Sequence, residues 1–352
     1  MRWNVLAGCP GAGAEVCRNC LAKTSWFERF AKETGGVKFK NPDEVRFLEA
    51  RLMDPLRVGK PNDVEVAPLS DLFSGALTNK QLDQIFTVMK IANQHRFFVT
   101  TKFPDKAAAY IERIKRGRLA VRAPIKWPLH NVYLGVSVED QASYQSRVAQ
   151  LYQIDTGNRY LVFEPLLGAI SNRRVILAHG DALDPFTGYV YETIGEDRHD
   201  EHPSRTLQFP ALSWIIIGGA LHQGGLPPHP KWVKDLIVPA ESLNIPVWFK
   251  GWGRFALTTK PNRDEDETLV MMNTDGTTRG RGVGSKTNHL AAAIDGEPSV
   301  FFTRRAPPDQ VDVLSGKTWR QRPGGNAGRT MPGMQTGELQ ALKQHIDGRK
   351  AR

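Results

Sequence analysis

The sequence predicts an α/β fold, in the form of a partial TIM-like β/α barrel with parallel strands, two insertions and an irregular basic C-terminal tail. Short apolar segments alternate with helical patterns along most of the chain, and most of these segments are rich in Val, Ile, Phe and Tyr on both faces. A polar or Gly residue follows each of them. The chain has 352 residues, of which 40% are hydrophobic, so it is long enough for one barrel with insertions. A doubly wound open sheet has the same local pattern and is the alternative.

Six strands and four helices follow from the hydrophobic periodicity. The predicted strands are 64–67, 96–100, 132–136, 160–163, 214–217 and 247–249. The predicted helices are 79–93, 105–116, 141–152 and 231–243. Thr78 stands in the N-cap position of the first helix, and His229 is expected to fix the start of the last one.

The same pattern suggests how the chain is divided. Residues 1–253 are predicted to form the barrel, with an insertion at 169–212 that contains a hairpin-like stretch. Residues 254–298 are polar and rich in Gly, and they are expected to form an insertion or lid. Residues 299–323 are expected to return to the barrel, and 324–352 to form a flexible basic tail.

The residues that directly follow the predicted strands are the candidates for a functional rim. In a parallel barrel the carboxyl ends of the strands form the chemically active face. The residues at these positions are Ser70, Asp71, Thr101, Lys102, Ser137, Glu139, Glu164, Gly218, Gly219, Lys250 and Trp252.

Three cysteines, Cys9, Cys17 and Cys20, are the only ones in the chain, and they lie in the run GCPGAGAEVCRNC. An odd number of cysteines argues against a disulfide framework, and clustered thiolates are soft metal ligands. An iron–sulfur cluster held by three thiolates leaves one iron free, whereas structural zinc needs a fourth ligand. For zinc, that ligand would have to come from elsewhere, such as His179, His199 or His222.

The formal net charge is +10, from 47 Lys and Arg against 37 Asp and Glu, and it favours a polyanionic partner. One basic segment stands out because Glu112 is its only acidic residue. The candidate nucleic-acid-binding residues in this segment are Arg113, Lys115, Arg116, Arg118 and Arg122. An ordinary solvated surface is the alternative.

The chain has no signal-peptide pattern and no run of about 18 apolar residues that would predict a membrane span. We therefore expect no membrane partner and a cytoplasmic location, which would be the host cytoplasm for a phage-encoded protein.

Several stretches together resemble a family of phage and bacterial three-cysteine proteins, largely of unknown function, that is itself similar to radical SAM (S-adenosylmethionine) enzymes. The stretches occur in order within 1–253 and again within 301–323: WNVLAGC, CRNC, RLMDPLRVGKP, VAPLSDLF, FFVTTKFP, YLGVSVEDQ, LVFEPLLG, WIIIGGALHQGG, PPHPKWVKDL, IPVWFKGWG and VDVLSGKTWRQRP. The chain departs from the family pattern in its C-x7-C-x2-C spacing, in Leu21 where an aromatic residue is usual, and in Ala220 where Glu is usual.

The resemblance implies a [4Fe–4S] cluster on Cys9, Cys17 and Cys20 that binds SAM and generates a 5′-deoxyadenosyl radical. It further implies an electron donor such as flavodoxin or ferredoxin. The substrate would be a base of a nucleic acid, with DNA favoured, or a nucleotide. The reaction would then be of the kind found in phage-type DNA hypermodification.

Roles for the rim residues are assigned by chemistry and location. Ser70 and Asp71 are assigned to the ammonium group of SAM, Ser137 and Glu139 to its ribose, and Gly218 and Gly219 to a close approach of its adenine or methionine part. Glu164 and Lys250 are the predicted catalytic residues, and Trp252 is assigned to stacking on a base. For the carboxylates the alternative is a structural role, in helix capping or in pairing with Arg.

Two other functions remain open. The first is a zinc-stabilised barrel that binds nucleic acid without radical chemistry. The second is a hydrolase or lyase that uses Glu139, Glu164 and Lys250 while the cysteines play a structural part.

Overall fold

The computed structural model describes residues 1–13, 17, 20, 23, 41–120, 124–192, 205–221 and 225–258, with further short stretches at 270–275, 277–280, 300–303, 313–314, 317–318 and 320–323. The strands are β1 Arg2–Trp3, β2 Leu6–Ala7, β3 Arg46–Phe47, β4 Asp63–Val66, β5 Arg96–Thr101, β6 Val132–Ser137, β7 Arg159–Phe163, β8 Val175–Ile176, β9 Ala182–Asp184, β10 Tyr189–Tyr191, β11 Arg205–Leu207, β12 Trp214–Ile217, β13 Val247–Phe249, β14 Ala256–Thr258, β15 Val270–Met272, β16 Thr278–Gly280, β17 Val300–Thr303, β18 Val313–Leu314 and β19 Lys317–Thr318. The α-helices are α1 Asn79–Ile91, α2 Pro104–Lys115, α3 Gln141–Leu151 and α4 Pro230–Ser242. Two 3₁₀ turns, Glu49–Arg51 and Asp54–Arg57, precede β4.

The main sheet has seven strands in the hydrogen-bonded order β1-β4-β5-β6-β7-β12-β13, and its registered neighbours are parallel. Each strand lies beside the preceding sheet strand of the chain, so the order never reverses. A doubly wound sheet reverses its strand order at a switch point, whereas a barrel does not. The predicted α/β class with a parallel sheet is confirmed, and the strand order fits a partial barrel.

The predicted elements agree with the observed ones to within two residues at their ends. Local signals explain the helix starts. Thr78 caps α1 in a capping box, in which Gln81 N–H donates to Thr78 Oγ1 at 3.3 Å. His229 caps α4 because its Nδ1 accepts from Lys231 N–H at 3.1 Å, as the sequence predicts. None of the helices in the described part of the chain combines the length and the apolar character that a membrane span requires.

The chain divides into two compact units. The first contains Met1–Val136, Gln150–Arg159 and Gly325–Arg352, of which the last lies outside the described residues. The predicted basic tail at 324–352 is therefore also outside them. The second unit contains Ser137–Ala149 and Tyr160–Gly324.

In the first unit, α1 and α2 are joined through a buried carboxylate. Asp83 is fully buried and accepts from Arg113 Nη1 at 2.7 Å and Nη2 at 3.1 Å, from Tyr110 Oη at 3.0 Å and from Ala120 N–H at 2.5 Å. The hydrogen bond to Asp83 raises the pKa of Arg113 above its usual value. Beside this network, the rings of Phe86 and Tyr110 lie 5.0 Å apart.

Replacing Asp83 with Ala is expected to lower the free energy of unfolding by about 3–5 kcal/mol, because it leaves the donors of a buried network without an acceptor. Urea denaturation would measure the change. Glu112→Ala is the matched control, because Glu112 lies on α2 in exposed ion pairs with Lys115 and Arg116 and is expected to contribute less than about 1 kcal/mol. Equal losses in the two variants would contradict this account of Asp83.

The second unit carries two four-stranded antiparallel sheets besides its share of the main sheet. One has the order β11-β10-β9-β8 and lies within the predicted insertion at 169–212. The other has the order β14-β17-β15-β16 and includes residues from the predicted lid. The expectation that 254–298 forms an insertion or lid is compatible with this sheet, because β14, β15 and β16 come from that range. The expectation that 299–323 returns to the barrel does not hold for β17, which pairs with β14 and β15. The chain contacts the main sheet again at Arg320, which forms an isolated antiparallel bridge with Trp248 of β13.

Candidate functional site

The loop that carries the three cysteines begins at a glycine that tolerates no side chain. Gly8 has φ +80°, and a Cβ there would lie 2.0 Å from the backbone oxygen of Glu44. Next to it, Cys9 N–H donates to the carbonyl of Pro42 at 2.9 Å. This close backbone crossing fixes the position of Cys9.

All three cysteines are free thiols, and Cys17 is buried. The backbone of Ala12 donates to Cys17 Sγ at 3.3 Å, so the loop folds over this thiol. The pKa of Cys9 is raised to about 11, chiefly because the thiol is buried; the backbone of Gly11 opposes the shift, and Asp71, Cys20 and Cys17 add to it.

Among the residues that the structure describes, no group of three or more His, Cys, Asp and Glu is arranged to hold a metal ion. Of the three histidines that were candidate zinc ligands, His179 contacts Asp181 at 3.2 Å. His199 and His222 lie outside the described residues, as does the acidic cluster at 197–202.

Ser70 and Asp71 make contacts within the first unit. Ser70 Oγ donates to the carbonyl of Gly8 at 2.6 Å, which ties the segment after β4 to the cysteine loop. Asp71 accepts from Thr101 Oγ1 and from Lys102 N–H, both at 2.8 Å, at the end of β5. Burial raises the pKa of Asp71, and these hydrogen bonds oppose the shift. These contacts agree with the structural alternative for Asp71 and give Ser70 a role in positioning the cysteine loop.

Ser137 and Glu139 also have partners in the protein. Arg147 Nη1 lies 2.7 Å from Glu139 Oε2 and donates to the carbonyl of Ser137 at 2.5 Å. The Glu139 carboxylate is buried and Arg147 is mostly covered, so the pair joins the end of β6 to α3. This pairing with Arg is the structural alternative that the sequence left open for Glu139.

The structure brings the two predicted catalytic residues together. Glu164 follows β7 and Lys250 follows β13, and Lys250 Nζ donates to Glu164 Oε2 at 2.7 Å. Gly218 follows β12, the strand between them, and a Cβ at Gly218 would lie 3.2 Å from Glu164 Cγ and Oε1. The pair can form because the middle position of this row carries no side chain. About a quarter to a third of each side chain is exposed, at 22% and 34%.

An aromatic residue that sequence reasoning missed lies on the same face of the sheet. Trp248 is two residues before Lys250, so strand alternation puts both on one face. Lys250 Nζ is 5.4 Å and Arg322 Cζ is 5.1 Å from the centroid of the Trp248 ring, which also stacks on Trp214 at 5.8 Å. The sequence signal was present in VWFK, where a Trp alternates with a Lys at a strand end.

Two rim predictions from the same unit need correction. Trp252 is fully buried and packs edge-on against Phe249 at 4.7 Å, so it is a core residue and cannot stack on a base. A Cβ at Gly219 would lie 2.5 Å from the backbone of Trp252. The close approaches that require Gly218 and Gly219 are therefore to groups of the chain itself.

The basic segment at the end of α2 has more acidic partners than the sequence predicted. Arg113 is bound by Asp83, and Lys115 contacts both Glu112 and Asp155, so the expectation that Glu112 alone opposes these charges is wrong. The guanidinium of Arg113 is therefore held by a buried carboxylate. Arg116 and Arg118 are exposed, and Arg122 lies outside the described residues.

These features define a class: an α/β protein with a parallel main sheet whose strand order never reverses, three free cysteines in one unit, and a Glu–Lys pair beside a half-buried tryptophan in the other. The chain belongs to the family described as "Protein of unknown function (DUF5131)", whose model matches residues 1–323. No curated protein and no solved structure matches the chain.

Proposed function

We propose that this protein is a radical SAM enzyme on a TIM-like partial barrel, with Cys9, Cys17 and Cys20 as the ligands of a [4Fe–4S] cluster. The observation that carries the proposal is the set of three free cysteines close together in the sequence, of which Cys17 is buried and Cys9 is held by the backbone of Pro42. The donor set fits this group, because three soft thiolates hold such a cluster and leave one iron for a cofactor.

With SAM and one electron, a cluster of this kind supplies radical chemistry, in which a hydrogen atom is taken from an unactivated carbon of the substrate. The protein's part is to position and shield the reactants. Ser70 holds Gly8, and the Pro42 carbonyl holds Cys9, so the first sulfur ligand is fixed before any metal binds. The electron would come from a donor such as flavodoxin or ferredoxin, in a reducing compartment such as the cytoplasm.

The proposed substrate is a nucleic-acid base or a nucleotide, as in DNA hypermodification. Trp248 offers a ring for stacking, and the cations of Lys250 and Arg322 beside it suit an anionic group. Glu164 would accept a hydrogen bond from SAM or from the base or sugar of the substrate, while its pairing with Lys250 keeps both side chains oriented. Arg116 and Arg118 remain available for phosphate contacts.

Anaerobic reconstitution of the full chain with iron and sulfide tests this function. The expected result is a brown protein with about four iron atoms per chain that forms 5′-deoxyadenosine from SAM and dithionite. A colourless protein that carries one tightly bound zinc and cleaves no SAM would overturn the proposal and support a zinc-stabilised binding protein.

A further inference from the structure

The antiparallel sheet β8–β11, which we call the accessory sheet, presents one polar–aromatic face. Strand alternation and register put Val175, Leu183 and Val190 on the inner face, where all three are buried. Tyr189 and Tyr191 point to the other face, and the register pairs them with Leu207 and Arg205. The two faces of this sheet therefore differ sharply in composition.

Each tyrosine on the outer face carries a guanidinium over its ring. Arg174 Cζ lies 3.8 Å from the centroid of the Tyr191 ring, and Arg205 Cζ lies 5.0 Å from that of Tyr189. Two apolar side chains on the edge strands flank these stacks: Ile176 is 56% exposed and Leu207 is 64% exposed. The face thus combines planar cationic groups with exposed apolar surface.

The charge on this face is uncompensated within the described residues. Asp184 is the acidic residue of these four strands, and it is buried and paired with Arg173 at 3.5 Å. Arg174 and Arg205 are exposed and form no ion pair with a described residue. A guanidinium held over a ring can offer its outer surface for stacking and its N–H groups for phosphate oxygens.

We propose that the accessory sheet binds single-stranded nucleic acid, with bases stacked on the Arg174–Tyr191 and Arg205–Tyr189 pairs and phosphates held by the two guanidiniums. Single-strand binding commonly combines aromatic and Arg stacking platforms with backbone contacts. This role goes beyond the proposed radical chemistry and does not depend on it, since it requires neither cluster nor SAM.

Fluorescence anisotropy with a fluorescein-labelled oligothymidylate of about a dozen nucleotides tests the proposal on the full chain without iron. Arg174→Gln combined with Arg205→Gln is expected to weaken binding by about tenfold or more and to flatten its salt dependence. Tyr189→Leu combined with Tyr191→Leu keeps both charges, and it is expected to weaken binding while leaving most of the salt dependence in place.

A control variant, Lys80→Gln with Lys234→Gln, removes two positive charges that lie on α1 and α4 and not on this sheet, and it is expected to bind almost as the wild type does. An equal loss in the control and in the arginine variant would overturn the proposal, because it would reflect net charge alone. Absence of binding by the wild type would overturn it as well. Either result would leave 5′-deoxyadenosine formation unaffected, so the two proposals fail separately.

Discussion

Cys17→Ser is expected to lose the iron–sulfur cluster and SAM cleavage together. Cys17 is the buried member of the three thiols, and serine keeps its size and its ability to accept the hydrogen bond from Ala12. The substitution therefore removes the soft ligand with little change to the loop. Iron content after reconstitution should fall to near background, and 5′-deoxyadenosine formation should fall by at least about 100-fold, as expected when an essential group is removed.

A matched control lies beside the same loop. Glu44→Gln weakens the exposed ion pair of Arg46 with Glu44, whose atoms are 3.2 Å apart, without changing a proposed sulfur ligand. This variant should bind iron and cleave SAM at close to the wild-type rate, because exposed ion pairs contribute little to stability. If Cys17→Ser kept full iron content and full SAM cleavage, the assignment of the three ligands would be refuted.

The secondary structure was predictable because its determinants are local. Strands of the main sheet are apolar on both faces, as in β6, where all six residues are buried, so short apolar runs located them. The N-cap of α1 was readable from Thr78 alone, because a capping box needs only residues close in sequence. The parallel class followed from the alternation of strands with helices.

The strand order distinguishes a partial barrel from a doubly wound sheet. This order could not be predicted, because the two folds have the same local sequence pattern. Contacts between residues distant in sequence could not be predicted either. Nothing near Arg113 in sequence reveals that Asp83, thirty residues earlier, binds its guanidinium. The carboxylates of Asp71 and Glu139 had likewise been assigned to a cofactor, and in the structure they accept from Thr101 and Arg147.

In the candidate site, too, positions at strand ends were predictable from the sequence, whereas the burial of individual side chains was not. Strand-end positions predicted that Glu164 and Lys250 lie close together, because parallel strands bring their carboxyl ends to one edge of a sheet, and the two side chains form a hydrogen bond. The choice between Trp248 and Trp252 depended on which ring faces the core. Trp252 is fully buried against Phe249, whereas Trp248 lies beside Lys250. Strand alternation does not separate the two, because they are an even number of residues apart; the path of the chain after β13, which brings Trp252 back onto Phe249, decides it.

Glu164→Gln is expected to lower the rate of 5′-deoxyadenosine formation by roughly 100-fold, the order of effect seen when one oriented charged or polar group is removed from an active site. The amide keeps the shape of the side chain but loses the charge that holds Lys250 Nζ at 2.7 Å. Iron content should be unchanged, because neither Glu164 nor Lys250 is among the three proposed ligands of the cluster.

The geometry allows this loss to be separated from a general loss of stability. Glu164 and Lys250 are partly exposed, so their ion pair should contribute no more than about 1 kcal/mol to the free energy of unfolding. Thermal melting of Glu164→Gln should therefore stay close to that of the wild type.

Lys250→Met and Gly218→Ala extend the test of the pair. Gly218→Ala adds a methyl group 3.2 Å from Glu164 Cγ, so it should shift the carboxylate slightly and lower the rate in the same direction as Glu164→Gln, but by less, without removing either charge. If the two residues act as one unit, Glu164→Gln combined with Lys250→Met should be no slower than the slower single variant. Fully additive losses, or a wild-type rate in Glu164→Gln, would show that the Glu164–Lys250 pair is an ordinary surface ion pair.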